Sequence, residues 1–213
     1  MPLDLNVTPP AGRAIDNPNP SLLPLPGGAG YLLAFVSRPA NRSEPYNEAV
    51  SFAFAADWRS GRFEPIVGNN APDLSVIDCE DPFLWRSFRG LHVVCHRRAT
   101  TGPNPWNYTD CGGYGVSVDG KAWTWSPTPI YTTAIAWAGG GANGAVVQFA
   151  RRERPEFLLS ADGRPEYLTA GVELTTGVLG NPSMSVLTPL GPPPQPPPPP
   201  PSAQRLYRHW RDV

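Results

Sequence analysis

The sequence has no long apolar run and almost no net charge. None of its apolar segments reaches the roughly 18 residues that a membrane-spanning helix needs. Its 17 Lys and Arg residues against 18 Asp and Glu residues leave a formal net charge of -1. A nearly neutral chain has no electrostatic reason to bind nucleic acid or an anionic membrane surface. We therefore expect neither nucleic acid nor a membrane among its partners.

Cysteines are scarce as well, with Cys79, Cys95 and Cys111 making up the whole set. Three cysteines are too few for a disulfide scaffold, and their spacing is not that of a metal site. We expect small core residues first, with one surface disulfide as the alternative. His92 and His96 have a zinc-like spacing, but four residues on a strand span about 13 Å. The sequence therefore predicts no zinc site and no cofactor.

Long segments without proline or glycine are missing, because the chain contains 21 glycines and 29 prolines. This composition nearly excludes long helices. The longest uninterrupted candidate, residues 46–60, contains the alternating stretch "VSFAF" at 50–54. A period of two is typical of a half-buried strand, so the sequence predicts an all-β protein.

The N-terminus lacks the basic start and apolar middle of a secretory signal, which favours the cytosol. Three glycosylation sequons, at Asn6, Asn41 and Asn107, favour the secretory pathway instead. The localisation is therefore left open, with the sequons as the argument for secretion.

Composition divides the chain into three parts. Residues 1–16 are predicted to be an irregular lead-in, residues 17–190 the folded part, and residues 191–213 a polyproline tract with a disordered tail. The tract "GPPPQPPPPPP" at 191–201 can form only a polyproline II helix. It serves either as a stiff spacer or as a ligand for a polyproline-binding protein.

The folded part repeats itself at an offset of 62 residues. The matched pairs are Pro20 and Pro82, Phe63 and Trp125, and Pro65 and Pro127. A third unit has Pro155 in the position of Pro82. Each unit begins with a polar residue and a proline, which are followed by two apolar strands joined by a glycine turn. A loop then leads to an alternating strand, and the unit ends with a turn and an aromatic residue. This pattern predicts four-stranded antiparallel blades, the units of a β-propeller.

Polar residues occupy the start of the first strand in each unit: Asp16 and Asn17, then Glu80 and Asp81, then residues 152–154. The innermost strands of a propeller converge around its axis, so their starting ends line one shared cavity. Proline fits at the first residue of a strand, where no ladder donor is lost. The sequence therefore predicts a polar pocket at the strand starts.

The unit openings resemble those of a known family. "NPNPSLL", "CEDPFLW" and "RRERPEFLLSADGRPEYLTAGV", with "GGYGVSVDGKAWTWS" before the last, are similar to the five-bladed β-propeller glycoside hydrolases of the arabinanase and β-xylosidase type, glycoside hydrolase family 43. Invertases and levansucrases share that fold, and their motifs are similar to Glu80-Asp81-Pro82 and Glu153-Arg154-Pro155. The resemblance covers about residues 17–175.

The resemblance implies a β-propeller of which this chain supplies about three of five blades. In the family, one essential carboxylate comes from the first blade, which the match does not include. Three explanations stay open: the sequence is a fragment, the protein is a non-catalytic descendant, or another chain completes the ring.

Hydrolysis of a glycosidic bond needs an acid and a second carboxylate facing each other across about 5–10 Å. Glu153 is predicted to be the general acid and Asp81 the second carboxylate. Glu80 is expected to point to the opposite face, because neighbours on a strand alternate. The structural alternatives are an Arg–Glu ion pair at Glu153 and a turn cap at Asp81. The flanking arginines would favour the ionised form of Glu153, which opposes an acid's role.

Substrate binding is assigned to polar residues near the strand starts and to an aromatic in a loop, because sugars stack on aromatic rings. These residues are Asp16, Asn17, Glu80, His96, Arg152, Arg154 and Trp106. A structural role is the alternative for His96. Trp85 is predicted to be free of the core, like Trp106, whereas Trp58, Trp123 and Trp125 are predicted to pack inside it.

The sequence as a whole predicts a glycoside-hydrolase-like protein that binds, and in its fuller form hydrolyses, a poly- or oligosaccharide. The alternative is a catalytically inactive carbohydrate-binding or protein-interaction module with a polyproline tail. A third possibility is a β-repeat scaffold whose charges at the strand starts form ion pairs only.

Overall fold

A computed structural model describes residues 6–7, 13–15, 19–39, 48–66, 79–97, 112–136, 145–174 and 183–191. Strands dominate these ranges, and their only helical elements are two 3₁₀ turns, Pro26–Gly28 and Trp58–Ser60. The all-β prediction is confirmed. In the same ranges no helix is long and apolar enough to cross a bilayer.

The first sheet is a four-stranded antiparallel meander with two additions. Its strands in chain order are β1 (Asn6–Val7), β2 (Arg13–Ala14), β3 (Ser21–Pro24), β4 (Tyr31–Pro39), β5 (Ala49–Ala55) and β6 (Arg62–Pro65). Strands β3, β4, β5 and β6 pair in sequence. The short β1 runs parallel to β6, and β2 pairs with the end of β4. Two segments of the predicted lead-in thus belong to the sheet.

The second sheet is the predicted four-stranded blade. It consists of β7 (Cys79–Ser87), β8 (Gly90–Arg97), β9 (Gly112–Ser117) and β10 (Thr124–Trp125), paired antiparallel in chain order. A small hairpin of β11 (Ala134–Ala136) and β12 (Val146–Gln148) follows it.

The third sheet has three described strands, β13 (Arg151–Leu159), β14 (Pro165–Glu173) and β15 (Ser183–Pro189). Phe157 pairs with Leu168 and Leu158 with Tyr167. This is the hairpin that the Asp-Gly turn at 162–163 predicts.

The sheets pack face to face. Between the first and second sheets lies a cluster of Leu32, Ala34, Val50, Phe52, Cys79, Leu84, Leu91, Val93 and Cys95. Between the second and third lies a cluster of Trp85, Val94, Tyr131, Phe157 and Leu168. A hydrogen bond from backbone to side chain joins β7 to β3, because the Leu84 amide donates to Ser21 Oγ at 2.9 Å. The three sheets are blades of a partial β-propeller, as predicted.

Stacking of sheets explains one departure from the sequence prediction. The stretch at 50–54 was expected to be half-buried, but β5 is buried on both faces along most of its length. Phe52 faces the second sheet, where Trp123 stacks on it at 4.3 Å, and Ala53 packs in a separate cluster with Leu33 and Phe63. A strand inside a blade stack is covered on both sides, and its small alanines give it an alternating appearance.

Cys79 and Cys95 form a disulfide, with Cα atoms 5.7 Å apart. Both residues are at most 1% exposed, so the bridge is buried between the first and second sheets and not on the surface. The alternative of one disulfide is therefore correct, and its surface location is wrong. Strands β7 and β8 are adjacent there, which brings two cysteines 16 residues apart into bonding range.

Gly113 lies on β9 directly opposite Cys95, and the bridge occupies the space beside it. A Cβ at this position would lie 2.6 Å from Cys79 Sγ and 2.7 Å from Cys95 Sγ. We expect Gly113→Ala to lower the free energy of unfolding by about 2 kcal/mol, the cost of overpacking a close-packed core. Urea unfolding measures this.

Gly171→Ala is the matched control, because a Cβ there meets only the Glu153 carbonyl oxygen, at 3.8 Å. Its stability should stay within about 0.5 kcal/mol of the parent. Equal stability of the two variants would show that the strands separate to admit a methyl group beside the bridge.

Candidate functional site

The second and third blades share a β-bulge at the start of the first strand. In β7 the register passes from Glu80 opposite His96 to Phe83 opposite Val94. Two residues of β7, Asp81 and Pro82, thus stand against one residue of β8. A bulge of this kind bends the strand and re-aims its side chains, and such bulges are common near functional sites.

The third blade repeats this arrangement residue for residue. Its register passes from Glu153 opposite Gly171 to Glu156 opposite Thr169, so Arg154 and Pro155 stand against a single residue of β14. The common bulge explains why a polar residue followed by proline recurs at both strand starts.

The residue before the proline has an unusual backbone in all three blades. Asn19, Asp81 and Arg154 have φ values of 31°, 52° and 54°, and no other described residue except glycine has a positive φ. Positive φ is uncommon for side-chain-bearing residues and costs of order 1 kcal/mol or more. Strain retained at one equivalent position in three repeats is typical of a functional site.

Asn19 and Asp81 are in direct contact across the first two blades. The Asn19 side-chain amide donates to Asp81 Oδ1 at 2.5 Å. Sequence reasoning assigned the first blade's contribution to Asp16 and Asn17 and missed Asn19. Its position 62 residues before Asp81, the offset that also joins Pro20 to Pro82, is the signal that identifies it.

Glu80 lies beside Asp81, contrary to the expectation that it points to the opposite face. Its Oε1 is 3.1 Å from Nδ1 of the fully buried His96, its cross-strand partner. Simple alternation fails because the bulge begins at Asp81 and turns that residue out of the regular pleat. We call Asn19, Glu80, Asp81 and His96 the strand-start cluster.

Ligand-type atoms of Glu80, Asp81 and His96 all lie within 4.8 Å of one another. One imidazole and two carboxylates are a donor set that a divalent cation accepts. His92, which has a zinc-like spacing to His96 in the sequence, lies toward the other end of β8 and is not part of this group. That the protein needs no metal or cofactor stays a prediction.

Burial raises the pKa of Asp81 above that of an ordinary aspartic acid, and the neighbouring Glu80 carboxylate raises it further. His96 and Arg154 act in the opposite direction, and Glu153 adds a smaller upward effect. Charges from the third blade thus reach Asp81. That Asp81 and Glu153 converge on one cavity stays a prediction.

The raised pKa of Asp81 gives a pH-dependent cost of folding. Below its ordinary pKa, near 4, the carboxyl is neutral in both folded and unfolded protein and the cost is absent. The cost develops as pH rises through the raised folded-state pKa. We expect Asp81→Asn to be more stable than the parent at pH 7 and equal to it near pH 3.5, as measured by urea unfolding.

Asp162 provides a control of opposite sign. A hydrogen bond from Ser160 lowers the pKa of Asp162. Its ionised form therefore supports folding at neutral pH and loses this effect as pH falls. Asp162→Asn should be less stable than the parent at pH 7, whereas the same sign of change in both variants would contradict the assignment for Asp81.

Glu153 is ion-paired within its own blade. Its Oε1 bonds the Arg151 guanidinium, which also lies 3.9 Å from Glu173 Oε2 on β14. Glu153 and Arg154 line a cavity of about 450 Å³ on the outer face of the third sheet, and Asp81 is not among its lining residues. The Arg–Glu pair considered from sequence is present, and the general-acid role of Glu153 stays a prediction.

Arg152 points away from this cavity and into the protein. It is 3% exposed, and its guanidinium donates to the Thr132 carbonyl at 3.0 Å and to Thr188 Oγ1 at 2.9 Å. It also lies over the Tyr131 ring, 4.9 Å from the centroid. These contacts give it a packing role between segments. The substrate-binding role predicted for Arg152 finds no support in them.

Several predicted residues lie outside the described ranges: Asp16, Asn17, Trp106, Cys111 and residues 192–213, which include nearly all of the polyproline tract. Trp85, expected to be free, is 4% exposed and stacks on His92 at 4.9 Å. Its place in the core follows from its position on β7, next to the buried Leu84 and facing the third sheet.

Comparison with known proteins finds structural likeness alone. No protein-family model and no curated protein matches the chain. It is similar to the GH32 β-fructofuranosidase of Bombyx mori, with 14% identity, a TM-score of 0.45, and coverage of 81% of this chain and 34% of that one. For an exo-β-1,3-galactanase from Clostridium thermocellum the identity is 14%, the TM-score 0.46, and the coverage 76% and 36%.

An α-L-arabinofuranosidase from Lactobacillus brevis has 12% identity, a TM-score of 0.37, and coverage of 80% of this chain and 71% of that one. The chain thus spans about a third of the length of the Bombyx and Clostridium proteins. Likeness at this level carries no argument about activity or substrate.

Proposed function

We propose that this protein is a glycoside-hydrolase-like propeller that binds a poly- or oligosaccharide at the strand-start cluster and hydrolyses a glycosidic bond there. The observation that carries the proposal is the recurrence of one strained residue before proline in each blade. Asn19, Asp81 and Arg154 bring an amide, a carboxylic acid and a guanidinium to the same end of the sheets. Such groups are donors and acceptors suited to sugar hydroxyls.

Asp81 is the better candidate for the proton donor. An acid catalyst must hold its proton near neutral pH, and burial together with the Glu80 charge raises the pKa of Asp81 in that direction. Glu153 bonds the Arg151 guanidinium, an arrangement that suits an ionised carboxylate. We therefore exchange the roles expected from sequence, with Asp81 as acid and Glu153 as the second carboxylate.

The test is hydrolysis of arabino-, xylo- and fructo-oligosaccharides, the sugars that the family resemblance implies, followed by release of reducing sugar or monosaccharide. We expect one class to be cleaved and Asp81→Asn to lower the rate by about 10³-fold, the range for loss of a general acid. Asp57→Asn, in an exposed turn of the first blade, is the matched control and should retain full activity.

Glu153→Gln and Glu166→Gln form a second pair. The former removes the proposed second carboxylate, and the latter changes an exposed carboxylate on β14 outside the site. Activity that survives in Glu153→Gln would reject its catalytic role. Cleavage that survives in both Asp81→Asn and Glu153→Gln would reject the site.

A non-catalytic carbohydrate-binding module is the second candidate, and one observation favours it. The cavity that Glu153 lines does not include Asp81, and an ion pair with Arg151 occupies the Glu153 carboxylate. Affinity electrophoresis in arabinan, xylan and fructan gels separates the two functions. Retardation that Asp81→Asn weakens, without release of sugar from any substrate, would establish binding and reject hydrolysis.

A further inference from the structure

A second cavity lies at the other end of the blades, between the second and third sheets. It has a volume of about 520 Å³, within the range of small-molecule sites. Ser87, at the last residue of β7, lines it, whereas Glu80 and Asp81 are at the start of that strand. Seven residues of strand separate Ser87 from Glu80 by about 23 Å. This cavity is therefore separate from the strand-start cluster.

Aromatic and aliphatic side chains form the walls of the cavity. Trp85 and Phe157 meet edge to face, with ring centroids 4.9 Å apart, and Tyr114 and Leu168 continue the surface. Trp85, Phe157 and Leu168 are all buried, so the packed core holds these walls in place. A flat apolar molecule would bury its faces against them.

A hydrogen-bonded chain of three polar side chains crosses one wall. Ser87 Oγ is 2.8 Å from His92 Nε2, and His92 Nδ1 is 2.8 Å from the Tyr114 hydroxyl. Burial and the charge of Arg89 lower the pKa of His92, and burial raises the pKa of Tyr114. Both groups are therefore neutral near pH 7. The wall presents hydroxyl groups without carrying a charge of its own.

Positive charge is confined to the rim. Arg89 and Arg164 line the cavity, and none of its lining residues is acidic. Within the described part of the chain Arg89 makes no ion pair and lies over the Phe88 ring at 5.3 Å, whereas Arg164 bonds the exposed Asp162 at 2.8 Å. Both arginines are exposed, so a guanidinium can turn toward a bound anion without breaking the core.

Close approach of two turns builds the rim. Gly163 has φ +79°, and a Cβ there would lie 2.3 Å from the Arg86 carbonyl oxygen. Only glycine fits this contact between the tip of the β13–β14 hairpin and the end of β7. The contact holds Arg164 beside the strand that leads to Arg89, so the two charges belong to one opening.

We propose that this cavity binds a small molecule with a flat aromatic body and one carboxylate. The apolar walls receive the ring system, the rim arginines bind the carboxylate through charge-assisted hydrogen bonds, and the Ser87–His92–Tyr114 chain accommodates a polar substituent. The proposal does not depend on the function proposed for the strand-start cluster.

Isothermal titration calorimetry with 2-naphthoate tests this, with 2-naphthamide as the uncharged probe of the same shape. We expect 2-naphthoate to bind at one site and at least about tenfold more tightly than 2-naphthamide, the effect of a single charge-assisted hydrogen bond. Arg89→Gln combined with Arg164→Gln should remove this preference. Arg86→Gln, an exposed arginine of β7 outside the cavity, is the matched control and should keep it.

Leu190→Trp provides a second variant, because Leu190 lines the cavity and is 47% exposed, so a larger side chain can enter without disturbing the core. It should weaken both probes, and Asp81→Asn should weaken neither. Equal affinity for 2-naphthoate and 2-naphthamide would reject the carboxylate. No saturable binding of either probe at about millimolar concentration, or binding unaffected by Leu190→Trp, would reject the site.

Discussion

Replacing Cys79 and Cys95 together with alanine is expected to lower the free energy of unfolding by about 3 kcal/mol, the chain-entropy value for a loop of this length. The bridge joins residues 16 apart in sequence and closes the start of the β7–β8 pair. Without it the unfolded chain gains freedom and the core between the first two sheets loses two buried sulfur atoms. Urea unfolding under oxidising conditions measures the change.

Reductant supplies the control for this prediction. The parent protein, unfolded and refolded with dithiothreitol, should lose stability to about the level of the double alanine variant. The variant itself should not respond to dithiothreitol. A double variant as stable as the oxidised parent would show that packing alone holds β7 to β8.

The bridge also bears on the proposed site, because Cys79 directly precedes Glu80. Glu80 and His96 pair across the same end of the two strands, one residue inward from Cys79 and Arg97. Loss of the bridge therefore loosens the strand start before it affects the rest of the blade.

The blade architecture could be predicted because it is a repeating property. Prolines, glycine turns and alternating strands recur at one offset, and each recurrence is further evidence for the same four-stranded unit. The outcome is visible in the second sheet, whose four strands pair in chain order. What a repeat cannot specify is how many faces of each strand are covered, and for this reason β5 is more deeply buried than its alternation suggests.

The site could be predicted only in part, because side-chain direction depends on the bulges. Strand alternation places Glu80 and Asp81 on opposite faces, and a single extra residue at Asp81-Pro82 cancels that rule. At "RRER" the opposite error occurs, because the charges read as one pocket-lining group although the strand is regular up to Glu153 and its side chains alternate. Arg152 instead faces the interior, while Arg151 and Glu153 face the outer cavity.

Arg152→Ala should lower the free energy of unfolding by about 3 kcal/mol, because it removes two hydrogen bonds made by a buried charged group and leaves their acceptors without this donor. Those acceptors, Thr132 and Thr188, belong to the segment after the second blade and to β15. Arg152 thus joins three segments that the sequence separates widely. Arg86→Ala, an exposed arginine of β7, should change stability by less than about 0.5 kcal/mol.

Two further variants separate the effect of the Arg152 hydrogen bonds on stability from the effect of its side-chain volume. Arg152→Lys keeps a positive charge but lacks the planar fork that reaches both acceptors, so we expect roughly half of the loss. In a double-mutant cycle, Thr188→Val should be less costly in the Arg152→Ala background than in the parent, since the two residues share one hydrogen bond. Strict additivity in the cycle, or an Arg152→Ala variant as stable as Arg86→Ala, would show that this arginine merely fills space. A coupled result would show that the buried Arg152 guanidinium, which also lies over the Tyr131 ring, stabilises the third sheet through its hydrogen bond to β15.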